Sequence, residues 1–190
     1  MALSPQITNL VIILGMMQVS KKIPFDDPQV LLGVRILYVV SNLVIFGLYY
    51  YIGMKIKSKR DLTTLKYVEP APMGSGEEPK LVTTTIQEYD SNQVAAQYKQ
   101  QLMGCAMMAF MHVYMKYTNP LLIQSIIPLK GAFESNLVKV HILGKPAAGE
   151  LKRPWKAAGG MMNMGQGAPV TDKASVEAAE RAGRGGAKEE

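Results

Sequence analysis

VLLGVRILYVVSNLVIFGLYYYI, Val30 to Ile52, is a run of 23 mostly apolar residues with one charge, Arg35, and it is followed closely by Lys55, Lys57, Lys59 and Arg60. As a helix it rises ~34 Å at ~1.5 Å per residue, enough to cross a hydrocarbon core of ~30 Å. Lys and Arg beside a span mark the cytoplasmic side, so the Lys55–Arg60 flank is expected in the cytoplasm. On a helical wheel Arg35, Tyr38, Asn42 and Tyr49 share one side, while Leu37, Val40, Val44 and Leu48 lie largely opposite. An Arg at the bilayer centre costs ~2.5–3.5 kcal/mol on insertion scales, so this polar stripe needs an explanation. Two remain open: Arg35 snorkels to the lumenal headgroups, or it lines a hydrated groove, which Asn42 nearer the middle favours.

Working outward, three weaker apolar stretches flank the problem. Ile7–Val19 carries no charge, and Ser4-Pro5 before it suits a helix start; a helix over 4–20 would just span, or would lie tilted or interfacial. Its lysines, Lys21 and Lys22, follow the apolar stretch, the reverse of a cleaved signal peptide. Gln100–Met115 is uncharged between Lys99 and Lys116, short for a span yet workable with snorkelling lysines. It holds Met103, Met107, Met108, Met111 and Met115, with fours recurring along one face. Flexible thioethers suit a surface that accepts varied apolar partners, or else merely fill a lipid-facing helix. Pro120 in Lys116-Tyr-Thr-Asn-Pro breaks that helix, and Leu121–Leu129, interrupted by Gln124, Ser125 and Pro128, reads as a short return or re-entrant piece.

The remainder is polar. Residues 61–79 are turn-rich, and Leu81–Gln101 reads as an amphipathic helix that extends the third span beyond the bilayer. The tail from Gly144 has the composition of disorder, including the low-complexity Met161–Gly167, with a short helix expected over Asp172–Arg181. Four regions follow: 1–52, two membrane helices; 53–100, a cytoplasmic loop and helix; 101–143, the Met-rich helix and return; 144–190, a flexible basic tail. The expected fold is an all-α integral membrane protein with about three transmembrane helices plus a short re-entrant or partial fourth, a cytoplasmic helical extension and a disordered basic tail.

A net charge of +6 and a lone cysteine, Cys105, exclude a disulfide framework and a thiolate cluster. Lys55–Lys66 and Lys139–Lys156 form basic clusters. They serve as topology determinants or as contacts to anionic lipid or ribosomal RNA, for which Lys55, Lys57, Lys59, Arg60, Lys152 and Arg153 are the candidates. His112 and His141 are the only histidines and fit no metal motif; neither a nucleophile elbow nor a phosphate loop appears. No enzyme, metal or cofactor is expected, and the scarcity of acids within the spans disfavours a proton-coupled transporter.

The strings LTTLKYVEP (62–70), EYDSNQVAAQYKQQ (88–101), the long run from Met111 to Ala157 through KYTNPLLIQS and LKRPW, and TDKASVEAAERAG (171–183) resemble a fungal endoplasmic-reticulum membrane family. It is called the inorganic phosphate transport protein family, and also the third component of the SRP-independent (SND) targeting pathway. The resemblance covers nearly the whole chain. It implies a multi-pass protein of the endoplasmic-reticulum membrane that delivers or inserts membrane proteins near the Sec translocon. Its partners would be the ribosome, other SND components, nascent membrane-protein clients and anionic lipids.

Few short spans, a cytoplasmic helical extension and polar residues at depth resemble the plan of Oxa-type insertases. In that plan a hydrated groove lowers the cost of passing polar flanks and short helices thin the bilayer. The groove candidates are Arg35, Asn42, His112, Asn119 and Gln124, with Met103, Met107 and Met111 against the client's apolar helix. Two alternatives belong to other classes: phosphate transport or its regulation, and a translocon- or ribosome-docking scaffold that never touches clients.

Overall fold

The computed structural model describes residues 5–69, 79–155, 169, 171 and 175–177. The low-complexity Met161–Gly167, all of 70–78 and most of 172–181 lie outside the described residues. Helix α1 (Pro5–Lys22) starts with Pro in its first turn and ends on two lysines, the arrangement that complements the helix dipole. Asp27 caps helix α2 (Pro28–Lys59) by accepting from the Gln29 N–H at 2.8 Å, and Pro28 opens the first turn. Arg60 closes α2 in a left-handed conformation at φ 45°, where Lys57 and Lys59 also sit favourably.

Beyond Arg60 the chain forms a hairpin, which corrects the all-α expectation. Strands β1 (Thr64–Glu69) and β2 (Lys80–Thr85) pair antiparallel, with Tyr67 opposite Val82 and Thr64 opposite Thr85. Alternation in TLKYVE and the β-branched run VTTT favour this over helix. So Leu81–Thr85 is strand, not the start of the amphipathic helix. Thr85 instead caps helix α3 (Ile86–Ala109), accepting from the Glu88 N–H, while the Thr84 hydroxyl donates to the Glu88 carboxylate.

Helix α3 runs into a π-helical turn, Phe110–Tyr114, and stops at Lys116, whose φ of 60° is left-handed. Pro120 then opens helix α4 (Asn119–Glu134), which is longer than the short return expected and continues through Pro128. Ser135, extended, ends α4 and caps helix α5 (Asn136–His141). A 3₁₀ turn, Gly149–Leu151, leads to Trp155.

Helix α4 lies along α2, with α1 and α3 on its flanks. Two apolar cores divide the molecule. The larger, at the basic end of α2, gathers Ile45, Tyr49, Ile52, Ile56, Tyr89, Val94, Leu137, Val138 and Trp155. The smaller, towards the other end, holds Val34, Met108, Leu121 and Leu122.

Around the smaller core and along the helices towards the larger one runs an exposed apolar band: Leu10, Val11 and Leu14 on α1, Leu32, Ile36, Val39 and Leu43 on α2, and Leu102, Met107 and Phe110 on α3 and the π turn. Among the described residues one helix, α2, is long and apolar enough to cross a membrane, and its most apolar window is only 22% buried. A buried core helix has the opposite profile. Three full spans are therefore not found. Polar residues at both ends of α1 (Gln6, Asn9, Gln18, Lys21, Lys22) dilute its apolar stretch, and the first half of α3 is polar.

Candidate functional site

A cavity of about 700 Å³ opens between α2, α3 and α4. Helix α3 contributes Gln93, Gln97, Gln100, Gln101 and Gly104, α4 contributes Gln124 and Gly131, and Tyr38 and Tyr49 of α2 form the floor. The glutamines follow a helical repeat, so they stand on one face of α3. Tyr38 and Tyr49 are separated by about 16 Å along the α2 axis, which makes the cavity an elongated groove. Trp155 and Leu137 wall it at the basic end; the core around Val34 and Met108 lies beyond its other end.

Asn42 is the hub on the α2 side. Its amide nitrogen donates to the Tyr38 carbonyl at 2.8 Å, and its oxygen accepts from Gln101 Nε2 at 2.6 Å and from Cys105 Sγ at 2.9 Å. A buried amide needs such partners, since a lost bond costs ~1–3 kcal/mol of unrecovered desolvation. Tyr49 donates to Gln97 Oε1 at 3.3 Å, and Tyr98 donates to the Phe46 carbonyl at 3.0 Å. These bonds hold α3 against α2 and set the direction of the glutamine face.

The sequence candidates divide. Gln124 lines the cavity, and Asn42 is buried behind it, joined through Gln101. Arg35 and His112 meet elsewhere: Arg35 Nε donates to His112 Nε2 at 3.0 Å, and His112 Nδ1 lies 3.1 Å from the Tyr117 carbonyl. That pattern fits the Nδ1–H tautomer and ties the N-terminal third of α2 to the π turn. Neither residue reaches the cavity. Met103 and Met107 point outward and Met111 is half-buried against the smaller core, whereas Met108 fills that core. Asn119 is exposed at the start of α4. Lys57, Lys59, Arg60 and Lys152 are exposed, and Lys55 lies 5.2 Å over the Tyr51 ring.

Arg153, expected at a lipid or ribosome surface, is turned inward. Its Nε and Nη2 donate to Asp90 Oδ1 and Oδ2, each at 2.6 Å, and its side chain is 9% exposed against 1% for Asp90. His141 Nε2 donates to the same carboxylate at 2.8 Å. Beside them Trp155 N–H donates to the Tyr89 hydroxyl at 2.7 Å, Trp155 Nε1 to the Leu151 carbonyl, and Arg153 stacks over the Trp155 ring.

This cluster straps residues 144–155 across the basic end of α2 and α3, in a segment expected to be loose. Tyr89 and Asp90 stand more than fifty positions from His141, Arg153 and Trp155, so no local spacing advertises the cluster; the lone Trp beside the LKRP string was the available signal. Burial pushes the Tyr89 hydroxyl up to about 12 and also raises Tyr67. Nearby, hydrogen bonding from Thr63 holds the Asp61 carboxyl below its usual range.

A helical bundle with one membrane-length apolar helix and an amide-lined groove beside it defines the general class. Residues 3–187 match the family model described as Phosphate transport (Pho88), and the chain belongs to that family. It is 48% identical over 188 residues to SRP-independent targeting protein 3 of Saccharomyces cerevisiae, covering 99% of this chain and 100% of that one. It is 42% identical over 178 residues to the SRP-independent targeting protein 3 homolog of Schizosaccharomyces pombe, covering 93% and 91%. The resemblance carried by the KYTNP–LKRP string thus holds over the full chain. No solved structure matches.

Proposed function

We propose that this protein is a non-enzymatic, multi-pass component of SRP-independent targeting in the endoplasmic-reticulum membrane, where it passes the polar flanks of nascent membrane proteins through the amide-lined groove. Helix α2 is the one full-length span, with the shorter apolar parts of α1, α3 and α4 embedded beside it. The observation that carries the reading is the cavity of about 700 Å³ set against a membrane-length helix whose apolar surface is largely uncovered. A groove that carries amide side chains among apolar ones, set inside an apolar band, lowers the cost of moving hydrophilic chain past lipid. The names of the two relatives above support the pathway.

Lys57, Lys59, Arg60 and Lys152 would then face the cytoplasm, available to anionic headgroups or ribosomal RNA, with the Sec translocon as the neighbouring machine. The phosphate reading of the family description draws less support. Among the described residues the cavity lining offers no Lys or Arg, and an anion path at depth needs convergent cations or helix N-termini.

Gly131 provides the test. It lines the groove, and a Cβ added there meets nothing within 4 Å, so a side chain can start there without a clash, and Gly131→Trp is the variant chosen to fill the space. Microsomes carrying the plugged protein at normal abundance should lose glycosylation-reported insertion of clients that require this protein. Wild-type insertion by the plugged variant would defeat the proposal, and phosphate uptake by vesicles holding the pure protein would restore the transport reading.

A further inference from the structure

We infer that the groove recognises the main chain of an unfolded, uncharged polar polypeptide stretch and disfavours acidic flanks; the inference rests on the insertion reading above. Its ligand chemistry is set by what lines it. Gln93, Gln97, Gln100 and Gln101 form a stripe on α3, facing Gln124 on α4 and Asn136 on α5. Each primary amide has two donors and two acceptor sites, of which Gln97 commits one acceptor site to Tyr49 and Gln101 one donor to Asn42, and each peptide unit of an extended chain offers one N–H and one C=O. Such a lining compensates dehydrated N–H and C=O groups whatever the side chains are, where leaving one bare in hydrocarbon costs several kcal/mol. A volume of about 700 Å³ suits a few residues of extended chain rather than a folded unit.

Charge decides the selectivity. Lys and Arg are absent from the lining, and its one ionised group is Glu134. Lys130 already engages Glu134 within one turn of α4, and also donates to Asn9 at 2.9 Å. Arg35, the cation expected to line the groove, is committed to His112 outside it. An acidic flank entering here therefore loses water and gains no counter-ion, whereas a Ser-, Asn- or Gly-rich flank is matched by amides.

The experiment uses full-length protein in microsomes with a photo-crosslinking residue at Gln97. Ribosome-bound clients share one membrane segment and carry a neutral Gly/Ser/Asn flank or the same flank with aspartates. The neutral flank should crosslink about threefold more strongly than the acidic one, and the exposed substitution Gln124→Lys should raise capture of the acidic flank by about threefold, the scale of one partly exposed ion pair. Equal capture of both flanks, or acidic capture unmoved by Gln124→Lys, overturns the inference while leaving insertion intact. No capture of either flank overturns the insertion reading and this inference with it.

Discussion

Asp90 answers a guanidinium and an imidazole at once from a position that is 1% exposed. Removing one partner of a buried pair strands the other, at ~3–5 kcal/mol. Asp90→Ala should accordingly lower the melting temperature in detergent and quicken trypsin cleavage after the exposed Lys152 as the backbone around it loosens; an unchanged digest would show that Arg153 does not hold the strap. Asn42→Leu unpairs Gln101 and Cys105 and should cost about 0.6–1.7 kcal/mol, the range for hydrogen bonds between helices in membranes, read by thermal unfolding. Tyr89 gives a pH dependence with a definite sign. Its folded hydroxyl holds its proton up to about 12, while the unfolded one releases it near 10. Between those values the folded state binds more protons, so stability falls as pH rises from 10 to 12. Tyr89→Phe should flatten that alkaline decline in a melting-temperature-versus-pH series while costing the bond to Trp155.

At the level of elements, the run Val30–Ile52 was readable because a helix this long and apolar has few alternatives, and the break before Pro120 was readable because proline is favoured in a helix's first turn and costs a bond in its interior. The hairpin was equally present in the alternation of TLKYVE and the β-branched run VTTT, plain once strand is allowed beside apolar helices. The glutamines of α3 were visible too, at a spacing that puts them on one face; their meaning was not, since a solvated face and a groove wall have the same pattern. Only α4, brought opposite by the turn at Lys116, distinguishes the two. That helix also contains Pro128, which lines the groove and lacks the N–H that would bond the Gln124 carbonyl. Pro128→Ala restores this bond and should stabilise α4 by up to ~3 kcal/mol. Client capture should drop as the Gln124 carbonyl, now bonded within α4, is lost to an entering chain, measured by crosslinking against melting temperature.

Over the whole molecule, the sequence separated an apolar half from a polar one but not how they join. The joining is done by contacts between residues more than fifty positions apart: Asp90 with His141 and Arg153, Tyr89 with Trp155, and Asn42 with Gln101. Composition does predict the molecule's demand for an apolar solvent. The uncovered side chains of α1, α2 and α3 form an area far larger than soluble monomers tolerate. Purified protein should stay monodisperse in detergent and sediment when detergent is diluted below its micellar concentration; a soluble monomer there would remove the membrane assignment.

Trp155 belongs at the same time to the strap and to the wall of the groove, which has a consequence for biogenesis. The chamber is finished by a residue that leaves the ribosome after all of α1 to α5, so a chain stopped by a nonsense codon after α5 would carry those five helices and still have an unfinished vestibule. Quality control could sort such products by that gap alone.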